Sequence, residues 1–226
     1  KTNDYLQFAI LTGCLRISKE SIFTGLNNFE VVSIMDSMYD ECFGFTDKDV
    51  QEILKYFNLS EHYADIREWY DGYHFVAGGP GIYNPFSLLN TFKYMRPEDY
   101  WFETGTPSYL VELLKHTHYD LYELANTETD ADVLNSIDST SSNPVPVIYQ
   151  SGYLTIKDYD SRFGIYKLGF PNLEVEEGFV KYLLPFYTSV SAPKTPFEIG
   201  RFVREVENGD YDAFFRRLQS FFADTP

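Results

Sequence analysis

The chain has 226 residues, enough for one large domain or two small ones, and its 18 Lys and Arg against 34 Asp and Glu leave a net charge of −16. Hydrophobic residues make up 44% and aromatic residues 18%, which supplies a packed core and excludes a disordered chain. That acidity excludes a phosphate-tracking surface over the chain as a whole, leaving room only for a local basic patch.

In chain order, Tyr5 to Leu11 is a short apolar run ending at Thr12-Gly13, which predicts a buried strand. Ser18 to Asn28 reads as a loop. Thr46 caps a helix with Asp49 at its third position, and Val50, Ile53, Leu54 and Phe57 repeat at helical spacing. A second helix is predicted from Ser60 to Tyr70. Gly72 and the Gly78-Gly79-Pro80-Gly81 cluster mark a loop, and Asn84-Pro85 then opens a helix carrying Phe86, Leu89 and Phe92 inward. Thr106-Pro107 repeats that signal ahead of Leu110, Leu113 and Leu114. Asn126 to Asn143 reads as an exposed polar connection with at most a helical turn.

The period changes after Pro146. Tyr153 to Lys157 and Gly164 to Leu168 flank the polar turn Asp158 to Arg162, a β-hairpin pattern. Asn172 caps the next helix, with Glu174, Glu176 and Glu177 near its positive end and reading as a solvated face. Pro185 should end or kink that helix. Thr195-Pro-Phe-Glu198 is a capping box, and Asn208-Gly209-Asp210 divides its helix from one rich in Phe. The expectation is a helical hairpin whose aromatic face needs a partner, with a homodimer through the last helix as one solution.

Chemistry-bearing motifs are sparse. The chain has no Gly-x-x-x-x-Gly-Lys-Ser/Thr, no G-x-G-x-x-G and no G-x-S-x-G. Cys14 and Cys42 form no CxxC and read as two reduced buried thiols, while His116 and His118 sit on opposite sides of a helix, so no metal site is expected. No segment has the ~18 apolar residues of a membrane span or the form of a signal peptide, which predicts a cytoplasmic protein without a membrane partner. At the end of the first strand, Thr12 has the placement of a hydroxyl that senses a γ-phosphate or its attacking water. Arg16 or Lys19 could offset phosphate charge there; the alternative is an ordinary strand end.

The ordered segments Thr12-Gly13 with Glu20-Ser-Ile-Phe-Thr-Gly-Leu-Asn-Asn28, Trp69-Tyr-Asp-Gly-Tyr73 and Tyr83-Asn-Pro-Phe-Ser87 resemble the AAA-ATPase-like family with a C-terminal PD-(D/E)XK nuclease-like domain. Trp101-Phe-Glu-Thr-Gly-Thr-Pro107, Tyr149-Gln-Ser-Gly-Tyr-Leu-Thr155 and Leu168-Gly-Phe-Pro-Asn172 continue the resemblance, which covers nearly the whole chain and is common in Bacteroidetes. It implies a mainly helical α+β piece of a longer protein. Residues 1–29 would be the last strand and sensor region of a P-loop ATPase core, and 30–125 a helical lid. Residues 126–171 would be a winged-helix-like unit with a β-hairpin wing, and 172–226 a helical lead into the nuclease-like domain.

Thr12, Gly13 and, less directly, Arg16 would be the nucleotide-sensing residues, with ATP and Mg²⁺ bound by the longer protein and neither expected in this piece. The Walker motifs would lie upstream and the nuclease metal site downstream, so this piece alone should be inactive. Its partners would be those two domains, and nucleic acid would be reached only through them. If the wing touched DNA, Lys157, Arg162 and Lys167 are the clustered cations placed to do it. Two other classes stay open: a standalone protein-interaction module, and an acidic carbohydrate-active enzyme.

Overall fold

The computed structural model describes residues 7–8, 10, 12–13, 30, 32–101, 108–117, 119, 121–124, 126–135, 143–187 and 195–223. About half of these are helical and two small antiparallel sheets accompany the helices, so the α+β class holds. The chain forms two compact units, Lys1–Val175 and Glu176–Pro226.

Cys42, expected to be buried, is exposed in a turn, and Cys14 lies outside the described residues. Regular structure begins with the capping box. The Thr46 side chain accepts from the Asp49 N–H at 3.3 Å, and the Asp49 carboxylate takes the Thr46 N–H at 2.9 Å. Helix α1 (Asp47–Tyr56) buries Val50 and Leu54, and a 3-10 turn (Ser60–His62) leads into α2 (Tyr63–Tyr70), which buries Ile66 and Tyr70. Strand β1 (Phe45–Thr46) pairs antiparallel with β2 (Ile82–Tyr83). Asn84 Oδ1 accepts the Phe86 N–H at 3.0 Å, with Pro85 at the first position of α3 (Pro85–Tyr94). Val50, Leu54, Ile66, Tyr70, Tyr83, Leu88 and Tyr100 form the core between these elements.

The face of α3 differs from expectation. Phe86 and Leu89 are exposed, and the buried stripe is Ser87, Leu88 and Thr91. The cause is polar: Thr91 Oγ1 donates to Tyr70 Oη at 2.7 Å and Ser87 Oγ to Glu174 at 2.7 Å. Buried Tyr70 and Glu174 each need hydrogen-bond partners, and α3 is turned to supply them.

Helix α4 (Ser108–Thr117) buries Leu110 and Leu114, while its Thr106-Pro107 start signal lies outside the described residues. After α5 (Leu121–Leu124), the polar connection holds an unanticipated strand, β3 (Thr127–Asp130), followed by the expected helical turn, α6 (Ala131–Asn135). Thr-Glu-Thr-Asp has no apolar alternation, so its strand is defined by the neighbour it pairs with rather than by its own pattern. Helix α7 (Val145–Gln150), also unanticipated, buries Val145 to Tyr149. The hairpin is present as β4 (Thr155–Asp160) and β5 (Ile165–Gly169), and the sheet order is β3-β5-β4. A register shift between Ile156 and Asp158 marks a bulge, and the turn is confined to residues 161–164.

Of the predicted first strand, Gln7, Phe8 and Ile10 are exposed and outside any strand; the rest lies outside the described residues. A strand needs a partner to pair with, and among the described residues none meets it.

Asn172 Oδ1 accepts the Val175 N–H at 3.1 Å and caps α8 (Leu173–Tyr187), which runs past Pro185 before ending. A proline so near a helix C-terminus removes one hydrogen bond without stopping the last turn. Helix α9 (Thr195–Glu207) starts on Thr195 itself, where the capping-box reading places the cap, and Glu198 bonds Arg201 at 3.0 Å. Asp210 caps α10 (Tyr211–Ala223) through the Ala213 N–H at 3.1 Å. These two helices form the expected hairpin, joined by Phe202 on Phe214 at 5.6 Å and by Arg217 on Glu205 at 2.8 Å. Phe197, Tyr211 and Phe215 remain exposed.

Candidate functional site

The motif segments from Trp69 onward converge on one another where they lie among the described residues. Gly72 has φ +115°, and a Cβ there would lie 2.2 Å from the Pro171 carbonyl oxygen, so Trp69 to Tyr73 docks directly on Leu168 to Asn172. The Pro171 oxygen also accepts from Lys157 Nζ at 3.1 Å. Gly81 lets the chain cross Asp71, since a Cβ there would lie 2.3 Å from Asp71 Oδ1. Tyr73 bridges Ile82, and the His74 N–H donates to Thr155 Oγ1 at 2.7 Å, which donates back to the His74 carbonyl at 3.0 Å. Gly152 adopts φ +83° against the rings of Tyr73 and Trp101, and Trp101 packs on Tyr153 with centroids 5.0 Å apart.

At the middle of this assembly is Glu174, which is 0% exposed. Its Oε1 accepts the Ser87 hydroxyl at 2.7 Å and the Trp101 N–H at 2.9 Å. Its Oε2 is buried and has no hydrogen-bond partner among the described residues. Burial pushes the carboxyl up to about 7, against the pull of those two donors, and the Asp99 charge adds to the rise. The reading of Glu174 as a solvated residue is therefore corrected. Of its helical neighbours, Glu176 is exposed and Glu177 half-buried. Spacing places Glu174 in the first turn, where carboxylates usually face water. The Asn172 cap turns it inward, beneath Ser87 and Trp101.

A second polar centre surrounds Asp47 on α1. Its Oδ1 accepts the hydroxyls of Tyr63 and Tyr83, each at 2.8 Å, and its Oδ2 accepts Gln51 Nε2 at 2.6 Å. Burial raises this carboxyl, but the three donors outweigh it and hold the group below the usual carboxylate range. This ties α1, α2 and β2 together around a charge that stays ionised.

Of the predicted nucleotide-sensing residues, the two that are described are not part of either centre. Thr12 and Gly13 are exposed and in no regular element, and Arg16 lies outside the described residues. Among the predicted wing cations, Lys157 is tied to Pro171, Arg162 stacks over Phe163 at 4.9 Å, and Lys167 is exposed. Among the described residues, no group of three or more His, Cys, Asp and Glu is placed to hold a metal ion. The Asp47 centre borders a cleft of about 500 Å³ lined by Lys48, Gln51, Glu52, Leu54, Lys55, Ser60 and Tyr63. What Glu174 can do is exchange a proton, with consequences for the three segments it joins.

The chain has a relative more than twice its length. That protein, from Azotobacter chroococcum mcd 1, bears the description "Uncharacterized protein in vnfD 5'region" and is 32% identical over 225 residues. The match takes in 98% of this chain and 43% of the relative, so the chain spans less than half the length of the protein it resembles. No protein-family model matches the chain, and no solved structure matches it. Among the described residues, no helix is long and apolar enough to cross a membrane.

Proposed function

We propose that this chain is the coupling portion, lid plus winged-helix-like unit, of a longer AAA-type ATPase fused to a nuclease-like domain, and that it performs no hydrolysis alone. The observation that carries this reading is the order of elements from α5 to β5. Helix, strand β3, helices α6 and α7, then the β4–β5 hairpin, with sheet order β3-β5-β4, follow the winged-helix pattern. The motif residues support it further, because they join lid to wing, Gly72 to Pro171 and His74 to Thr155, while Ser87 on Glu174 joins the lid to the start of the helical lead. The greater length of the relative leaves room for an ATPase core and a nuclease-like domain.

In this reading the unit transmits motion and does not read sequence. The helix that would enter a DNA groove, α7, has Val145 to Tyr149 buried. The sheet face of the wing carries more carboxylates than cations. Lys167 stands opposite Glu128 on one neighbouring strand and Asp158 on the other, and Ile165 stands opposite Asp130 and Asp160. A phosphate approaching that face meets four carboxylates for one ammonium.

The test compares ATP hydrolysis by the purified 226-residue chain with that of the full-length gene product. The expected outcome is a Mg²⁺-dependent rate from the full-length protein and none from the chain. A Mg²⁺-dependent rate from the chain alone, or no nucleotide binding by the full-length protein, would overturn the proposal.

A further inference from the structure

Glu174 joins three segments that are distant in sequence: α3 through Ser87, the turn before residue 102 through the Trp101 N–H, and the first turn of α8. Both donors reach the same oxygen. The other oxygen is sealed from water and meets no donor among the described residues, so a charge on this carboxyl is only half accommodated by them. The surroundings reinforce that asymmetry. Tyr70 from α2 lies near the group, but its hydroxyl is engaged with Thr91 and Glu98; among the described residues Tyr73 and Asp99 are further titratable neighbours, and Tyr153 lies beside Tyr73. Burial pushes Tyr70 up to about 12 and Tyr73 higher still, so both phenols stay neutral near pH 7. Asp99 contributes like charge, which opposes ionisation of Glu174.

We propose that Glu174 is a proton-operated clasp: neutral, it holds the Trp101 turn against α3 and α8, and ionised, it releases that turn to solvent. The logic is linkage. A conformer in which Glu174 reaches water ionises as an ordinary Glu, so rising pH favours it over the closed form. With the closed-state value near 7 and the ordinary value of 4.5, moving from pH 6 to pH 8 raises the ratio of open to closed about tenfold. Ser87 and the Trp101 N–H act against this by stabilising the anion, and so set the midpoint. The inference does not depend on the ATPase reading.

The Trp101 amide is both the clasp's donor and its reporter. Hydrogen exchange by NMR on the 226-residue chain measures its protection factor after correction for the intrinsic pH dependence of exchange. The expected result is a fall of about tenfold from pH 6 to pH 8 at Trp101, little change at Leu54 in the α1 core, and no fall at Trp101 in Glu174→Gln. Constant protection at Trp101 in the parent chain, an equal fall at Leu54, or an unchanged fall in the Gln variant would each overturn the clasp. Should Glu174→Gln fail to fold, Ser87→Ala decides: loss of a donor to the anion must move the midpoint upward, and an unmoved midpoint refutes the proposal.

Discussion

Gly72→Ala tests whether the junction between the Trp69–Tyr73 and Leu168–Asn172 segments holds the larger unit together. Two costs combine. The backbone at φ +115° is a region that L side chains rarely adopt, a strain on the order of 1–3 kcal/mol. The new methyl would also lie 2.2 Å from the Pro171 oxygen and 3.2 Å from its carbonyl carbon, and neither is the movable end of a side chain. Relief requires displacing the Pro171 peptide, which weakens the Lys157 hydrogen bond and disturbs the Asn172 cap, at roughly 1 kcal/mol each. The total is about 3–5 kcal/mol, or about 10 °C in melting temperature for a unit of this size. Urea denaturation followed by far-UV circular dichroism measures it. Gly78→Ala is the control: its φ is +72° but nothing lies within 4 Å of the new Cβ, so only a backbone cost of about 1 kcal/mol is expected. Equal losses for the two variants would refute the reasoning, since the difference between them is the contact with Pro171.

Glu174 makes stability pH-dependent with a definite sign. Its folded value is raised from 4.5 to about 7, so its contribution is complete below about pH 4.5 and is lost as pH rises through about 7, up to roughly 3 kcal/mol. Denaturation midpoints at pH 5, 7 and 8.5 should fall in the parent chain and lose this component in Glu174→Gln; parallel curves would contradict it. Thr46→Ala removes one arm of the capping box and should cost about 1 kcal/mol in chemical denaturation, with no change in the denaturant slope. Tyr70→Phe deletes a hydroxyl that donates to the Glu98 carbonyl and accepts from Thr91 and the Glu98 N–H, leaving Thr91 buried without that acceptor. A loss of about 2–3 kcal/mol is expected in the same assay, and a neutral result would mean that water replaces the phenol.

Local signals were the legible part of the sequence. The Thr46 and Asn84 caps, the 60–70 helical segment, the β4–β5 hairpin and the α9–α10 hairpin each rest on residues within a few positions of one another, and each is present. What escaped depends on distant partners. Strand β3 exists because β5 has an edge for Thr127 to Asp130 to pair with, and nothing in Thr-Glu-Thr-Asp announces it. Phe86 and Leu89 have the better claim to the core by hydropathy. The inward positions went to Ser87 and Thr91, because Glu174 and Tyr70 must be satisfied. Glu174 was hidden for the same reason, since an acidic residue at a helix start is ordinarily solvated. A signal was available in Leu168 to Asn172: the apolar Gly-Phe-Pro lead into an N-cap indicates a buried helix start, and a carboxylate two residues after the cap then needs donors.

The acidic face of the β3-β5-β4 sheet bears on how the protein behaves in a crowded solution. A sheet of only three strands has two edges for each centre, and such edges invite lateral growth with other molecules. Glu128 and Asp130 line one outer strand and Asp158 and Asp160 the other, so two copies brought edge to edge would set carboxylates against carboxylates. These charges therefore guard the sheet against joining its own kind, and their amidation would convert a self-repelling surface into an aggregation-prone one.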